Sequence, residues 1–135
     1  RRKAAVLCVL DVGQRQRVIV DVGRQQLLVV VDALDALTRL RADIAFISSP
    51  AVSGLEVFHM DDSVVRTKRA MIDQGATRVL LVNHARFGRA ALHHLAELRE
   101  FDHIITDSQP AGEHLAAMQE AGVRLTLADA QEAEG

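Results

Sequence analysis

The sequence has little that would cross-link it covalently or anchor it in a membrane. It contains one cysteine, Cys8, so no disulfide can form within the chain, and the apolar neighbours of this residue are typical of a core position. No apolar run approaches the ~18–20 residues of a membrane-spanning helix. The apolar run after the basic residues 1–3 ends before Asp11, which is too short for a secretory signal. We therefore expect a cytoplasmic protein without membrane contact.

The sequence also lacks an excess of basic charge. Sixteen lysines and arginines are balanced by eighteen aspartates and glutamates, for a formal net charge of −2. DNA-binding domains gain affinity by neutralising phosphates, so this balance argues against an autonomous DNA-binding domain. The 135 residues suit one compact domain, with a polar, acidic tail over residues 128–135. The abrupt start without Met suggests one piece of a longer protein.

Several motifs of catalysis and cofactor binding are missing. No G-x-G-x-x-G follows a predicted strand and no Walker loop is present, so we expect no dinucleotide, nucleoside triphosphate or other cofactor. His93 and His94 are adjacent, whereas zinc ligands on a helix are spaced i, i+4. No serine or cysteine lies in a nucleophile elbow. We expect neither a metal site nor acyl-transfer catalysis.

Short aliphatic segments alternate with helical patterns along the chain. This alternation predicts an α/β domain in three layers, with a mostly parallel sheet and helices on both faces. The predicted strands span residues 5–10, 17–22, 27–31, 44–48, 78–83, 103–106 and 123–127.

Four helices are predicted between these strands from capping residues and terminal glycines. In chain order, the first begins at Asp32, the second begins within residues 61–63 and stops at Gly75, the third follows Gly88, and the fourth begins at Asp107 or Ser108 and ends at Gly122.

The second predicted helix carries a lysine on its apolar face. Lys68 lies at the centre of a stripe with helical spacing, and an unpaired buried ammonium is costly. Lys68 must therefore extend to the rim, pair with a carboxylate, or reach into a polar cavity. The stripe consists of Val64, Val65, Met71 and Ile72, while Arg66, Arg69 and Asp73 are predicted to point away from it.

A second candidate site is the turn at residues 83–88. It leads from the carboxyl end of a predicted strand into a predicted helix, where open α/β sheets bind ligands and free N–H groups favour anions. Arg86 adds a cation suited to phosphate or carboxylate. A solvated connection without function is the ordinary alternative.

Two further polar segments are weaker candidates. Ser48, Ser49 and Ser53 follow a predicted strand, so their hydroxyl groups are available to a ligand, although turn formation explains them as well. The acidic residues Asp61 and Asp62 begin the second predicted helix, where capping explains them better than catalysis does.

The order of these features resembles a known family. Residues 42–127 are similar to the C-terminal effector-sensing domain of DeoR-type bacterial transcriptional regulators. The resemblance implies a single effector-sensing domain over residues 1–135, with a fold related to ribose-phosphate isomerases and glucosamine-phosphate deaminases. It also implies a DNA-binding winged helix that this chain does not include. The matching landmarks are residues 42–47, 54–55, 68–72, 78–82, 86–89, 91–92, 101–107 and 121–123.

The resemblance also implies roles for individual residues. Lys68 matches the lysine at the family's sugar-phosphate pocket. The family pattern Asp-Ser-Ser-Lys reads Asn83-His84-Ala85-Arg86 here, so Arg86 keeps the positive charge. We predict anion contacts from Lys68 and Arg86 and a hydroxyl contact from Asn83. The full set of predicted ligand-binding residues is Lys68, Arg86, Asn83, His84, Ser48, Ser49 and Ser53.

The leading interpretation is the effector-binding domain of a DeoR-type transcriptional regulator. A small phosphorylated sugar or related metabolite is expected to control DNA binding by the attached winged-helix domain, within a homo-oligomer. One alternative is an enzyme of the isomerase or deaminase type, with Asp61, Asp62 and His84 as candidate bases. The other is an oligomerisation domain with a degenerate pocket.

Overall fold

A seven-stranded, mostly parallel sheet forms the frame of the domain. The computed structural model describes residues 5–12, 15–22, 25–30, 39 and 41–128. The elements are β1 (Ala5–Val12), β2 (Arg15–Val22), β3 (Gln25–Val30), β4 (Ala42–Ser48), β5 (Ala51–Ser53), β6 (Glu56–His59), α1 (Asp62–Gln74), β7 (Gly75–Val82), β8 (His93–Glu97), β9 (His103–Thr106), α2 (Gly112–Glu120) and β10 (Leu125–Leu127).

The strand order of the large sheet is β10-β9-β7-β4-β1-β2-β3. Neighbouring strands from β10 to β1 are parallel, and β1, β2 and β3 form an antiparallel meander. The predicted class, an α/β domain in three layers on a mostly parallel sheet, is confirmed. All seven predicted strands correspond to strands of this sheet.

A second, antiparallel sheet of three strands was not predicted. Its order is β5-β6-β8, and β5 and β6 form a hairpin in which Ser53 pairs with Glu56. Gly54 occupies the first turn position with φ +60, a conformation that glycine adopts without strain. Strands of three to five residues leave too short a pattern to be recognised in the sequence.

Helix α1 lies between the two sheets. It contacts β4 and β7 of the large sheet and β6 and β8 of the small one. Met71 and Ile72 are completely buried, as the predicted stripe requires, but Thr67 and Ala70 are buried as well. The buried surface of α1 is therefore broader than one stripe, because a helix between two sheets is covered on two sides.

Both predicted ends of α1 are confirmed. Asp61 is the N-cap, since its Oδ1 accepts hydrogen bonds from the Ser63 N–H at 2.8 Å and the Ser63 hydroxyl at 2.7 Å. These bonds lower the pKa of the Asp61 carboxyl. At the other end, the chain passes directly into β7 at Gly75, where an added Cβ would lie 2.7 Å from the Cβ of Ala45. Glycine is needed at this position because the start of β7 lies very close to β4.

The third predicted helix is wrong. The segment after Gly88 leads into strand β8, although its composition favours a helix. The Gly88 N–H donates to the carbonyl of Val52, and the Leu98 N–H donates to that of Leu55, so both ends of the segment are bonded to the β5–β6 hairpin. The segment is extended because β8 pairs with β6 in the small sheet, where Val57 lies opposite Ala96 and Glu56 opposite Glu97.

The fourth predicted helix exists but begins later than expected. Helix α2 starts at Gly112 after Ala111, and neither Asp107 nor Ser108 caps it. Its predicted end is confirmed by Gly122, which has φ +76. The first predicted helix, at Asp32, lies outside the described residues. In the ranges that are described, no helix has the length and apolar character needed to cross a membrane.

Arg69 joins α1 to the segment after β8, which corrects the prediction that it points away. Its guanidinium donates to both oxygens of Glu100, at 2.6 and 3.1 Å, and to Asp73 on its own helix at 3.0 Å. It also reaches the carbonyl of Leu95 at 3.4 Å. The hydrogen bond from Arg69 is the main reason that the pKa of Glu100 is lowered.

We predict that Arg69→Ala lowers the free energy of unfolding at pH 7 by about 1–2 kcal/mol, because charged hydrogen bonds to a partly buried carboxylate are lost. The folded-state pKa of Glu100 is lowered, so this stabilisation is present above its unfolded pKa of about 4.3 and is lost as pH falls through the folded value. Urea denaturation at several pH values measures the effect.

Arg66→Ala is the matched control on the same helix. Arg66 pairs at 3.0 Å with Asp62, and the two side chains are 69% and 53% exposed. We expect a loss below about 0.5 kcal/mol. Equal losses for the two variants at pH 7, or a loss for Arg69→Ala that stays the same as the pH falls through the folded-state pKa of Glu100, would contradict the assignment.

Candidate functional site

The carboxyl ends of the parallel strands bring several of the predicted site residues to one edge of the large sheet. Ser48, at the end of β4, is opposite Leu81 of β7, and Val82 of β7 is opposite Thr106 of β9. The segments that follow β4, β7 and β9 therefore begin side by side. They contain the predicted serines, the turn at residues 83–88, and Asp107.

Lys68 extends from α1 to this edge. Its Nζ donates a hydrogen bond to the backbone carbonyl of Ser48 at 2.7 Å, and the residue is 0% exposed. Of the three outcomes left open by the sequence, extension to the solvent rim is therefore wrong. The structure places the ammonium group beneath the carboxyl edge of the sheet.

Asn83 organises the turn after β7. Its side-chain Oδ1 accepts from the Ala85 N–H at 2.8 Å, and its backbone carbonyl accepts from the Arg86 N–H at 2.9 Å. Residues 84–86 form a single 3-10 turn as a result. The carboxamide oxygen predicted to contact a ligand hydroxyl is thus already engaged, although it has a second lone pair.

His84 forms two hydrogen bonds with Asp107. The backbone N–H of His84 donates to Oδ1 at 2.7 Å, and the ring Nδ1 lies 2.9 Å from Oδ2. These contacts, the backbone bond first, hold the pKa of the Asp107 carboxyl well below its usual range. The Thr106 hydroxyl lies within hydrogen-bond distance of Oδ1 as well, at 3.2 Å.

Asp107 was missed as a site residue because the sequence suggested a helix cap. One feature of the sequence could have identified Asp107 as a site residue: it directly follows a buried strand, as Asn83 does. Residues that follow adjacent parallel strands meet at the same edge of the sheet.

Arg86 is exposed, and within the described part of the chain its side chain makes no hydrogen bond or ion pair. The residues after it hold the turn in place. Phe87 is buried, with its ring centroid 6.5 Å from that of His114 on α2, and the Gly88 N–H donates to the Val52 carbonyl at 2.7 Å. A fixed turn therefore presents a solvent-accessible guanidinium.

The three serines have different surroundings. Ser48 contributes the carbonyl that Lys68 contacts. The buried Ser49 hydroxyl lies 3.0 Å from the Phe58 carbonyl, a contact that stabilises the packing of β6. Ser53 pairs with Glu56 in the hairpin and lines a hollow together with Glu97 and Arg99. No described contact links Ser53 to Lys68 or to the turn after β7.

Taken together, the edge combines one buried ammonium, one exposed guanidinium, and polar groups on a fixed turn. Such a combination suits an anionic ligand that also carries hydroxyl groups. The family model of the DeoR C-terminal sensor domain matches residues 12–108 of this chain. The chain belongs to this family.

Relatives of this sensor domain are transcriptional repressors. The chain is 30% identical over 101 residues to the HTH-type transcriptional repressor GlcR of Bacillus subtilis, a match covering 73% of the chain. It is 28% identical over 98 residues to the glycerol-3-phosphate regulon repressor of Escherichia coli and 26% identical to the deoxyribose operon repressor of that organism, each match covering 70% of the chain. The matches span 38% of the length of each relative.

The fixed turn of the sensor domain yields a stability prediction at Gly88. This residue has φ +85, and an added Cβ would lie 2.9 Å from the Nε2 of His114. We expect Gly88→Ala to lower the free energy of unfolding by about 2 kcal/mol or more, since the left-handed conformation alone costs roughly 1–2 kcal/mol. Urea denaturation gives the value.

Two controls separate strain from contact. Gly54 has φ +60 and nothing within 4 Å of an added Cβ, so Gly54→Ala measures conformational strain alone. In a His114→Ala background, Gly88→Ala should cost no more than Gly54→Ala does in the natural sequence. A Gly88→Ala variant as stable as the natural chain would show that the turn is not held as described.

Proposed function

We propose that this domain binds a small phosphorylated sugar or related metabolite at the carboxyl edge of the large sheet. Binding controls the engagement of DNA by a winged-helix domain attached to it in the full-length protein, within a homo-oligomer. The observation that carries this proposal is Lys68, a completely buried ammonium that reaches the end of β4 beside the turn with Arg86.

The chemistry of the edge supports an anion with hydroxyl groups. Arg86 offers a planar guanidinium with several N–H donors, a geometry that matches phosphate oxygens. His84 is 47% exposed in its side chain, and Asn83 and Ser48 lie close by in the fold. Ser49 and Ser53 contribute less, because the described contacts of both residues are to the small sheet.

The relatives support a regulator over an enzyme. Three of them are named as repressors, and two of those names refer to glycerol 3-phosphate and to deoxyribose. We infer the same chemical class of effector for this chain. Titration with several candidate phosphate esters distinguishes among the possible metabolites.

The burial of Lys68 gives the proposed sensor a physical basis for two states. A ligand contacts Nζ only if the residues that cover it move, because the side chain is 0% exposed. An effector shifts a conformational equilibrium only if it binds the two conformations with different affinity. An ammonium that becomes accessible in one of them would supply that difference.

We test the proposal by calorimetric titration with glucose 6-phosphate, glycerol 3-phosphate and 2-deoxyribose 5-phosphate. Arg86→Gln should weaken binding about tenfold or more, because a charged hydrogen bond to phosphate is lost. Lys68→Met should abolish binding while the free energy of unfolding changes by no more than about 1–2 kcal/mol, since losing the Ser48 bond is offset by removing a buried charge.

Arg124→Gln is the control, because Arg124 is exposed and precedes β10, at the opposite edge of the sheet. Its binding should equal that of the natural chain. Failure of all three ligands to bind, or unchanged binding by both Lys68→Met and Arg86→Gln, would refute the proposal. Interconversion of ribose 5-phosphate by the purified protein, lost in His84→Ala, would instead support the isomerase alternative.

A further inference from the structure

The paired hydrogen bonds between His84 and Asp107 go beyond the contacts predicted for this site. We propose that Asp107 is a positioning residue: it fixes the His84 imidazole with its proton on Nδ1 and so presents an unprotonated Nε2 as the acceptor for a hydroxyl group of the bound metabolite. The ligand contact rests on the function proposed above, whereas the position of the proton does not.

The geometry determines which ring nitrogen carries the proton. An ionised carboxylate only accepts hydrogen bonds, so the Nδ1 that lies 2.9 Å from Oδ2 must donate. An aspartate carboxyl is ionised near neutral pH at its ordinary pKa, and the contacts with His84 lower the pKa of Asp107 further. A neutral imidazole has one N–H, and Nε2 is then left with a lone pair.

The carboxylate is itself held in position. Its other oxygen, Oδ1, accepts the backbone N–H of His84 at 2.7 Å, so one residue engages both oxygens. The Thr106 hydroxyl lies 3.2 Å from Oδ1 and 3.3 Å from the backbone carbonyl of Ser108. Because the hydroxyl has one proton, it donates to one of these two acceptors at a time. Rotation of either the ring or the carboxylate would break at least one of these bonds.

In the proposed site, His84 and Arg86 bind two different parts of the ligand at the edge of the sheet. The lone pair on Nε2 accepts a hydrogen bond from a hydroxyl group and repels a phosphate oxygen, whereas the guanidinium of Arg86 attracts phosphate. In the described part of the chain, no side chain is bonded to Nε2 of His84 and none to Arg86. The class of ligand that uses both groups is a phosphorylated polyol.

The position of the proton is tested by nitrogen-15 NMR of the imidazole ring at pH 7.5, in the protein without added ligand. We expect the Nδ1–H form in the natural chain. In Asp107→Asn, the amide oxygen can still accept the His84 N–H while the NH₂ group donates to Nδ1, so the proton should move to Nε2. An Nε2–H signal in the natural chain, or no change in Asp107→Asn, would overturn the proposal.

The ligand contact is tested by titration with glycerol 3-phosphate, glucose 6-phosphate and 2-deoxyribose 5-phosphate, each compared with inorganic phosphate. For the phosphate esters that bind, His84→Phe and Asp107→Asn should both weaken binding about tenfold, the value of one hydrogen bond. The affinity for inorganic phosphate should not fall in either variant, because the contact involves a hydroxyl group of the ester and Asp107→Asn removes a negative charge.

Asp102→Asn is the matched control. Asp102 precedes β9, at the opposite end from Asp107, and accepts the Arg78 N–H at 2.8 Å. This variant should change neither the NMR signal nor the affinities, and thermal unfolding checks that all variants fold. If esters bind equally well to the His84 and Asp107 variants, the inference is wrong while the proposed function stands. If no ester binds to the natural chain, the ligand contact fails together with that function.

Discussion

Helix α1 is covered on two sides, by β4 and β7 and by β6 and β8, and most of the domain's organisation follows from this constraint. A helix in this position has few places for a charged side chain. Arg66 and Asp73 are exposed, Arg69 reaches past the helix to Glu100, and Lys68 is completely enclosed. The cost of enclosing an ammonium is offset in part by its bond to the Ser48 carbonyl. The position of α1 thereby directs a positive charge to the end of β4.

The turn after β7 is the second fixed point of the site. It is joined to the small sheet through Gly88 and Val52, to the end of β9 through His84 and Asp107, and to α2 through Phe87 and His114. A ligand that displaces this turn must therefore disturb contacts with three other parts of the domain. Packed side chains and hydrogen bonds of this kind can carry energetic coupling from one part of a domain to another.

The parts of the fold that the sequence predicted well depend on local signals. The N-cap at Asp61 and the stop at Gly75 follow from residues within one or two turns of each helix end, and β9 was predicted with its exact bounds. Strand β8 was predicted as a helix because its conformation depends on hydrogen bonds to a hairpin more than thirty residues earlier. No local pattern contains that information.

At the candidate site, too, local features were predicted from the sequence and contacts between distant residues were not. The apolar stripe around Lys68 indicated that its side chain points inward, and the structure agrees, but the atom it contacts is twenty residues away in the sequence. The pairing of His84 with Asp107 joins residues 23 positions apart. Each residue followed a predicted strand, yet only the order of strands in the sheet brings them together. Whether these residues bind a metabolite remains a prediction.

The departure of residues 83–86 from the family pattern has a consistent physical reading. The first position of the pattern holds Asn83 in place of an aspartate, and its carboxamide oxygen accepts the Ala85 N–H. The carboxylate that the structure does place at this turn, Asp107, has both oxygens bonded to His84. Direct acceptance of a hydroxyl proton by either group would compete with an existing hydrogen bond. In the proposed tautomer, Nε2 of His84 is the free acceptor, and it has no hydrogen bond within the described residues. Because this acceptor is neutral, it would repel a phosphate held by Arg86 less than a free carboxylate would.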